Sequence, residues 1–208
     1  MAIILCYGDS LTWGAIPGGG RYQKNHRWPE LLNKRLGEEH DVINSGLPSR
    51  TTIWDDPFND GRNGLKYIQS MIETFAPVNL VILMLGTNDI KSYINASAYD
   101  AARGIEKLIT KIREPSRHGF PNPEIIVVAP PNIIAPKGEA AEMFPNAVEK
   151  MQKFHQEYQK VATRQRCEFL NAAGVITPSD IDGVHLEQAA NETLARVLEP
   201  LVNKILYS

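Results

Sequence analysis

Apolar residues fall into two patterns along this chain. Unbroken runs at Ile3-Ile4-Leu5-Cys6-Tyr7, Leu80-Val81-Ile82-Leu83-Met84-Leu85 and Ile125-Ile126-Val127-Val128-Ala129 stop at glycine or proline and read as strands buried on both faces. Shorter segments at 41–44 and 167–170 read as two more. Between the strands the apolar positions recur every three or four residues. Pro29 opens a helix that ends near Gly37; Leu65, Ile68, Ile72 and Phe75 define another within 61–75; Ala102, Ile105, Ile109 and Ile112 define a third over 98–114, closed by Pro115. Two further helices are predicted over 146–163 and 187–206. Loops fill the stretch between Ser10 and Arg27, the region after the second strand, and the connection through Ile133, Ile134, Ala135 and Pro136. Strands alternate with helices and never stand at hairpin spacing, which argues for an α/β fold with a parallel sheet covered on both faces, a three-layer sandwich.

Composition narrows the class. The 208 residues fit a single domain spanning 1–208, and a net charge of −2 leaves no basic cluster longer than Lys34-Arg35 or the mixed run Arg164-Gln165-Arg166. Nucleic acid is therefore not an expected partner. No apolar run approaches the ~18 residues of a membrane span, and no basic stretch precedes a long apolar core at the amino terminus, so no membrane contact and a cytoplasmic location are expected. Cys6 and Cys167 lack metal-ligand spacing and read as buried, reduced thiols, and Asp55-Asp56 on a proline-ended loop form no recognisable ligand set. Neither a metal nor a cofactor is called for. Gly18-Gly19-Gly20-Arg21 lacks the Gly-Lys-Ser or Gly-Lys-Thr of a phosphate loop and reads as a flexible surface loop.

The first strand ends at Gly8-Asp9-Ser10-Leu11. In open α/β sheets ligands bind in the crevice outside the carboxyl ends of the strands, so Ser10 stands on rigid scaffold where a substrate can arrive. Alone, a Gly-Asp-Ser triplet is usually a turn and helix cap. Three other segments at strand ends change that reading: Asn44-Ser45-Gly46-Leu47-Pro48-Ser49, Gly86-Thr87-Asn88-Asp89 and Asp182-Gly183-Val184-His185. In this order the segments resemble the sequence blocks of the SGNH or GDSL hydrolase family, over residues 3–186. Asp9-Ser10-Leu11-Thr12-Trp13-Gly14 and Leu47-Pro48-Ser49-Arg50-Thr51-Thr52 look most like its bacterial arylesterase and acyltransferase branch. The resemblance implies a flavodoxin-like order of five parallel strands, a carboxylic ester hydrolase with a small ester substrate, and a homo-oligomer.

A serine hydroxyl needs an adjacent base and a group that orients it. His185 and Asp182 fit, because they lie on a connection able to curl back to the strand ends, whereas His26, His40, His118 and His155 sit in polar or helical surroundings. Oxyanion donors are expected from the Ser10 backbone, from the Asn88 amide and from the loop after the second strand. For the last, the family commonly has glycine where this chain has Ser49; Gly46 is a weaker candidate. Asp9 and Asp89 read as acceptors of loop amides. Arg50 could pair with Asp55 or Asp56 beside the substrate, or simply lie on the surface. Trp13, Trp54 and the connection holding Ile133 are candidates to line an acyl pocket. The leading function is a serine esterase acting on acetyl, aryl or carbohydrate esters through an acyl-enzyme on Ser10. Transfer to another acceptor, as in an acyltransferase or perhydrolase, and the lysophospholipase and thioesterase activities of the same family are the alternatives. From a different class, a doubly wound ligand-binding module would want small residues where Leu11 and Trp13 stand.

Overall fold

The computed structural model describes residues 1–116 and 118–207. Its centre is a five-stranded sheet of β1 (Ala2–Gly8), β2 (His40–Gly46), β3 (Leu80–Met84), β4 (Glu124–Ala129) and β5 (Glu168–Asn171) in the order β2-β1-β3-β4-β5. Every neighbouring pair is parallel. Helices are α1 (Ser10–Trp13), α2 (Trp28–Leu36), α3 (Gly64–Thr74), α4 (Ala98–Ile112), α5 (Glu139–Met143), α6 (Ala147–Met151), α7 (Phe154–Gln165) and α8 (Gln188–Leu206). The flavodoxin-like α/β sandwich expected from the sequence is the fold observed.

Side chains alternate across each strand, and the alternation divides the core in two. Leu5, Tyr7, Val81, Leu83, Ile125 and Val127 face α3, α4 and α7. Ile4, Cys6, Leu80, Ile82, Met84 and Ile126 face α2 and α8. Both faces of the central strands are covered, which is why the runs carry no polar residue. Capping follows local chemistry: Asn63 accepts from the Leu65 amide at the start of α3, and Ser97 with Asp100 forms a capping box on α4.

The structure departs from the expected elements in several places: α1 lies within the stretch from Ser10 to Arg27 read as loop, and the ends of α3, α4 and β5 shift by one to three residues. β2 runs two residues past Asn44 because, as an edge strand, it pairs with β1 alone and tolerates Ser45 and Gly46 as far as the Gly8–Gly46 register. The helix expected over 146–163 is two helices, and α5 precedes them unpredicted. Ala147, Met151, Phe154, Tyr158 and Val161 remain buried across the break, so the apolar period continues where the hydrogen-bond ladder does not. No helix among the described residues is long and apolar enough to cross a membrane.

Candidate active site

β1 lies between β2 and β3, where the strand order reverses, and the chain leaves it through Gly8 into α1. A Cβ on Gly8 would fall 2.0 Å from Thr12 Oγ1 and 2.9 Å from the Met84 carbonyl, so only glycine permits this turn. Asp9 caps the single helical turn, its carboxylate accepting from the Leu11 amide at 3.0 Å. Ser10 is the first helical residue, and its amide has no partner within the turn. Leu11, 2 % exposed, packs into the core beneath the turn.

From the far end of the chain, the loop between β5 and α8 brings His185 to Ser10, 175 residues away in sequence. His185 Nε2 is 3.1 Å from Ser10 Oγ, and Nδ1 is 2.8 Å from Asp182 Oδ2. The Asp182 carboxylate also accepts from the amides of Val184 and His185, both at 2.9 Å, and from that of Gly18 at 3.1 Å. Partial burial pushes its pKa up, yet the donors from His185, Val184 and Gly18 outweigh that and hold it below the ordinary value. An ionised carboxylate can only accept, so the proton on the ring sits at Nδ1 and leaves Nε2 to accept from the Ser10 hydroxyl.

The loop is braced on both sides. Ser179, buried, donates its amide to the His185 carbonyl at 2.8 Å and accepts the Gly183 amide at 2.9 Å. The Gly183 carbonyl receives the Ile134 amide, and the Asp182 carbonyl receives that of Lys137 at 3.1 Å. Residues 18–20 form an exposed loop, as expected, and within it Gly18 donates to the Asp182 carboxylate while the segment lines the cleft beside His185.

Opposite the histidine, Gly86 takes a φ of 119° and turns the chain from β3 into a short 3-10 turn, Thr87–Ile90. Asn88 Nδ2 donates to the Arg50 carbonyl at 3.1 Å, which fixes the amide plane, and makes a longer hydrogen bond to Asp9 Oδ2 at 3.5 Å, the one an incoming oxyanion would replace. Ser49 adopts a φ of 64°, the left-handed region that favours glycine. The Gly46 amide is already committed to Asn44 Oδ1 at 3.0 Å, and a Cβ there would meet the Trp13 backbone at 2.1 Å. Gly46 is thus a close-packing residue between β2 and α1 whose amide is already committed.

Arg50 also differs from expectation. It is 6 % exposed, donates to the Gly8 and Ser45 carbonyls and stacks over the Tyr7 ring at 4.1 Å. The carbonyls at the ends of β1 and β2 need donors, and the guanidinium supplies them. Asp55 pairs instead with Lys66 at 2.7 Å, and Asp56 with Lys91 and Tyr93. Asp9 and Asp89 are both acceptors beneath the site, Asp89 taking the Thr52 amide at 2.9 Å and the Thr52 hydroxyl. Burial lifts Asp9 to about 6 and Asp89 to about 7.

A cleft of about 390 Å³ opens at His185, lined by Ile16, Gly19, Lys137, Met143 and Ile181 among others. Ile133 does not line it: at 1 % exposure it belongs to the core, its amide donating to Met151 Sδ. Trp13 lies half-buried at the end of α1 with the Arg21 guanidinium 4.5 Å over its ring. Sequence reasoning missed Lys91 and Lys137. Neither carries a sequence signal: a lysine after a turn is ordinarily solvated, and only the fold buries Lys91 to 3 % exposure. No group of His, Cys, Asp and Glu among the described residues could hold a metal ion.

Residues 6–192 match the GDSL-like Lipase/Acylhydrolase family. Among solved structures, the chain is similar to Est24, a carbohydrate acetylesterase from Sinorhizobium meliloti, with a TM-score of 0.95 at 34% identity over 99% of this chain and 100% of that one. A carbohydrate acetylesterase family member from the same organism gives 0.93 at 39% identity over the whole of both chains. The native aryl esterase of M. smegmatis gives 0.93 at 34% identity, covering 99% of this chain and 100% of the other. No curated protein matches this chain.

Proposed function

Because the chain belongs to the GDSL-like lipase/acylhydrolase family and is a carboxylic ester hydrolase, we propose that Ser10 is its nucleophile and that short acyl esters, acetyl and aryl esters among them, are its substrates. The observation that carries this reading is the continuous hydrogen-bond relay from Ser10 Oγ through the His185 ring to Asp182, at 3.1 and 2.8 Å.

In the proposed reaction His185 Nε2 takes the hydroxyl proton as Ser10 Oγ adds to the ester carbonyl. The resulting oxyanion is held by the backbone amides of Ser10 and Ser49 and by Asn88 Nδ2, donors set in place before charge develops. Collapse of the intermediate breaks the bond to the alkoxy oxygen, and His185 returns its proton to that leaving group. Water then attacks the acyl-serine, His185 accepts its proton, and the carboxylic acid departs with Ser10 Oγ reprotonated. Asp182 stabilises the imidazolium at both stages and stays ionised, in keeping with the donors around it.

Similarity to carbohydrate acetylesterases and an aryl esterase supports a small acyl group in the cleft beside His185. The walls of the cleft combine backbone of the glycine segment and the side chains of Lys137 and Glu139 with the apolar side chains of Ala15, Ile16, Ala140, Met143 and Ile181. An apolar pocket that extended with the acyl chain would gain about 0.8 kcal/mol for each methylene inserted, so chain-length preference reads the extent of the pocket. Hydrolysis of p-nitrophenyl acetate, butyrate and octanoate, followed by acetylated sugars, tests the reading. The expected kcat/KM is highest for acetate or butyrate, and a steady rise toward octanoate would contradict it.

Our reading also keeps a reducing compartment, the cytoplasm, supported by the free thiols of Cys6 and Cys167. A homo-oligomer would cover Phe58 and Ile181, which are 74 % and 60 % exposed.

A further inference from the structure

Lys91 follows the turn that carries Asn88 and is buried, yet the proposed reaction gives it no task. Its ammonium lies 3.0 Å from Ser49 Oγ and 3.7 Å from Asp56 Oδ2. Asp56 is itself fixed: its other oxygen accepts from the amides of Phe58 and Asn59 at 2.9 and 3.1 Å, and Tyr93 donates to Oδ2 at 2.9 Å. Lys91 thus reaches Ser49 from a rigid base. Burial pulls the ammonium's pKa down while Asp56 opposes that, as expected for a charge held out of water by one partner.

Ser49 has the conformation that needs help. With a φ of 64° it stands where glycine would be free of strain and a side chain is not. Its neighbours are tied to the same turn: Asn88 donates to the Arg50 carbonyl, and Asp89 accepts the Thr52 amide. The Lys91–Ser49 contact is the link in this set that reaches the residue carrying the oxyanion donor.

We propose that Lys91 is a positioning residue: anchored on Asp56, it holds the Ser49 hydroxyl and so keeps Ser49 in the left-handed conformation that presents its backbone N–H to the oxyanion. The inference rests on the esterase reading above. It accounts for a serine where the strain argument favours glycine, since the side chain that makes the conformation costly also provides the tether that fixes it.

Steady-state hydrolysis of p-nitrophenyl acetate by variants of the full chain tests the inference. Lys91→Met should lower kcat about ten- to a hundredfold with little change in KM, because a misdirected donor is lost mainly in the transition state. Adding Ser49→Gly to Lys91→Met should recover most of that loss, since glycine holds the conformation without a tether; a merely structural lysine would show no such rescue. If Lys91→Met does not fold, Ser49→Ala cuts the same tether with the Lys91–Asp56 pair intact and should lower kcat similarly. A kcat within twofold of wild type in Lys91→Met or Ser49→Ala, or a double variant no better than Lys91→Met, overturns the inference. Asn88→Ala serves as the control. If it loses kcat while Lys91→Met does not, only the role of Lys91 falls; if neither loses kcat, the oxyanion reading itself fails.

Discussion

Gly183 and Ile134 are locked together: the Gly183 carbonyl accepts the Ile134 amide at 2.9 Å, and a Cβ on Gly183 would lie 1.9 Å from the Ile134 carbonyl oxygen. Through this contact the connection after β4 clamps the loop that carries Asp182 and His185. The clash is with backbone, which cannot rotate away, and the φ of 77° adds strain of its own.

Gly183→Ala should therefore lower stability by about 1–3 kcal/mol and reduce kcat/KM in the fraction that remains folded. Urea unfolding and ester hydrolysis on the same preparation check both. Unchanged stability would mean that the loop has room the contact denies it.

The juxtaposition of Ser10, His185 and Asp182 was legible in the sequence because each stands beside a strand end or a glycine turn, where position restricts what a side chain can touch. The strand order was available from the family resemblance, and the two-faced burial of β1, β3 and β4 from their unbroken apolar runs. Arg50 was not legible, because a loop arginine is normally solvated and its role depends on two strand-end carbonyls that only the fold brings together. Ile133 misled for the opposite reason: an apolar residue in a connection looks available to a ligand, but here it completes the core. The break between α6 and α7 leaves the apolar period intact, so periodicity could not reveal it.

A pH dependence of stability follows from the buried carboxylates beneath the site. Burial raises Asp9 to about 6 and Asp89 to about 7, with the donors from Thr52 holding Asp89 down and neighbouring Asp9 pushing it up. The folded state thus binds their protons more tightly than the unfolded chain. Their contribution is fully present below the unfolded carboxylate value near ~3.9 and is lost as pH rises through the folded values, between about 4 and 7. Since the two are neighbours, the window belongs to the pair.

Relative to Asp89→Asn, the wild-type chain should lose stability, on the order of a few kcal/mol, between pH 4.5 and 7.5. Asparagine keeps an acceptor for the Thr52 amide and removes the titration. Urea unfolding of both chains at the two pH values reads the difference directly. A difference that does not change with pH would show that Asp89 does not titrate in this window.

Locating a fluorophosphonate adduct reads directly whether Ser10 is the nucleophile that His185 activates. One adduct per chain is predicted, on Ser10, with both adduct and ester hydrolysis abolished in Ser10→Ala. An adduct on another serine, or hydrolysis that survives Ser10→Ala, would contradict the account.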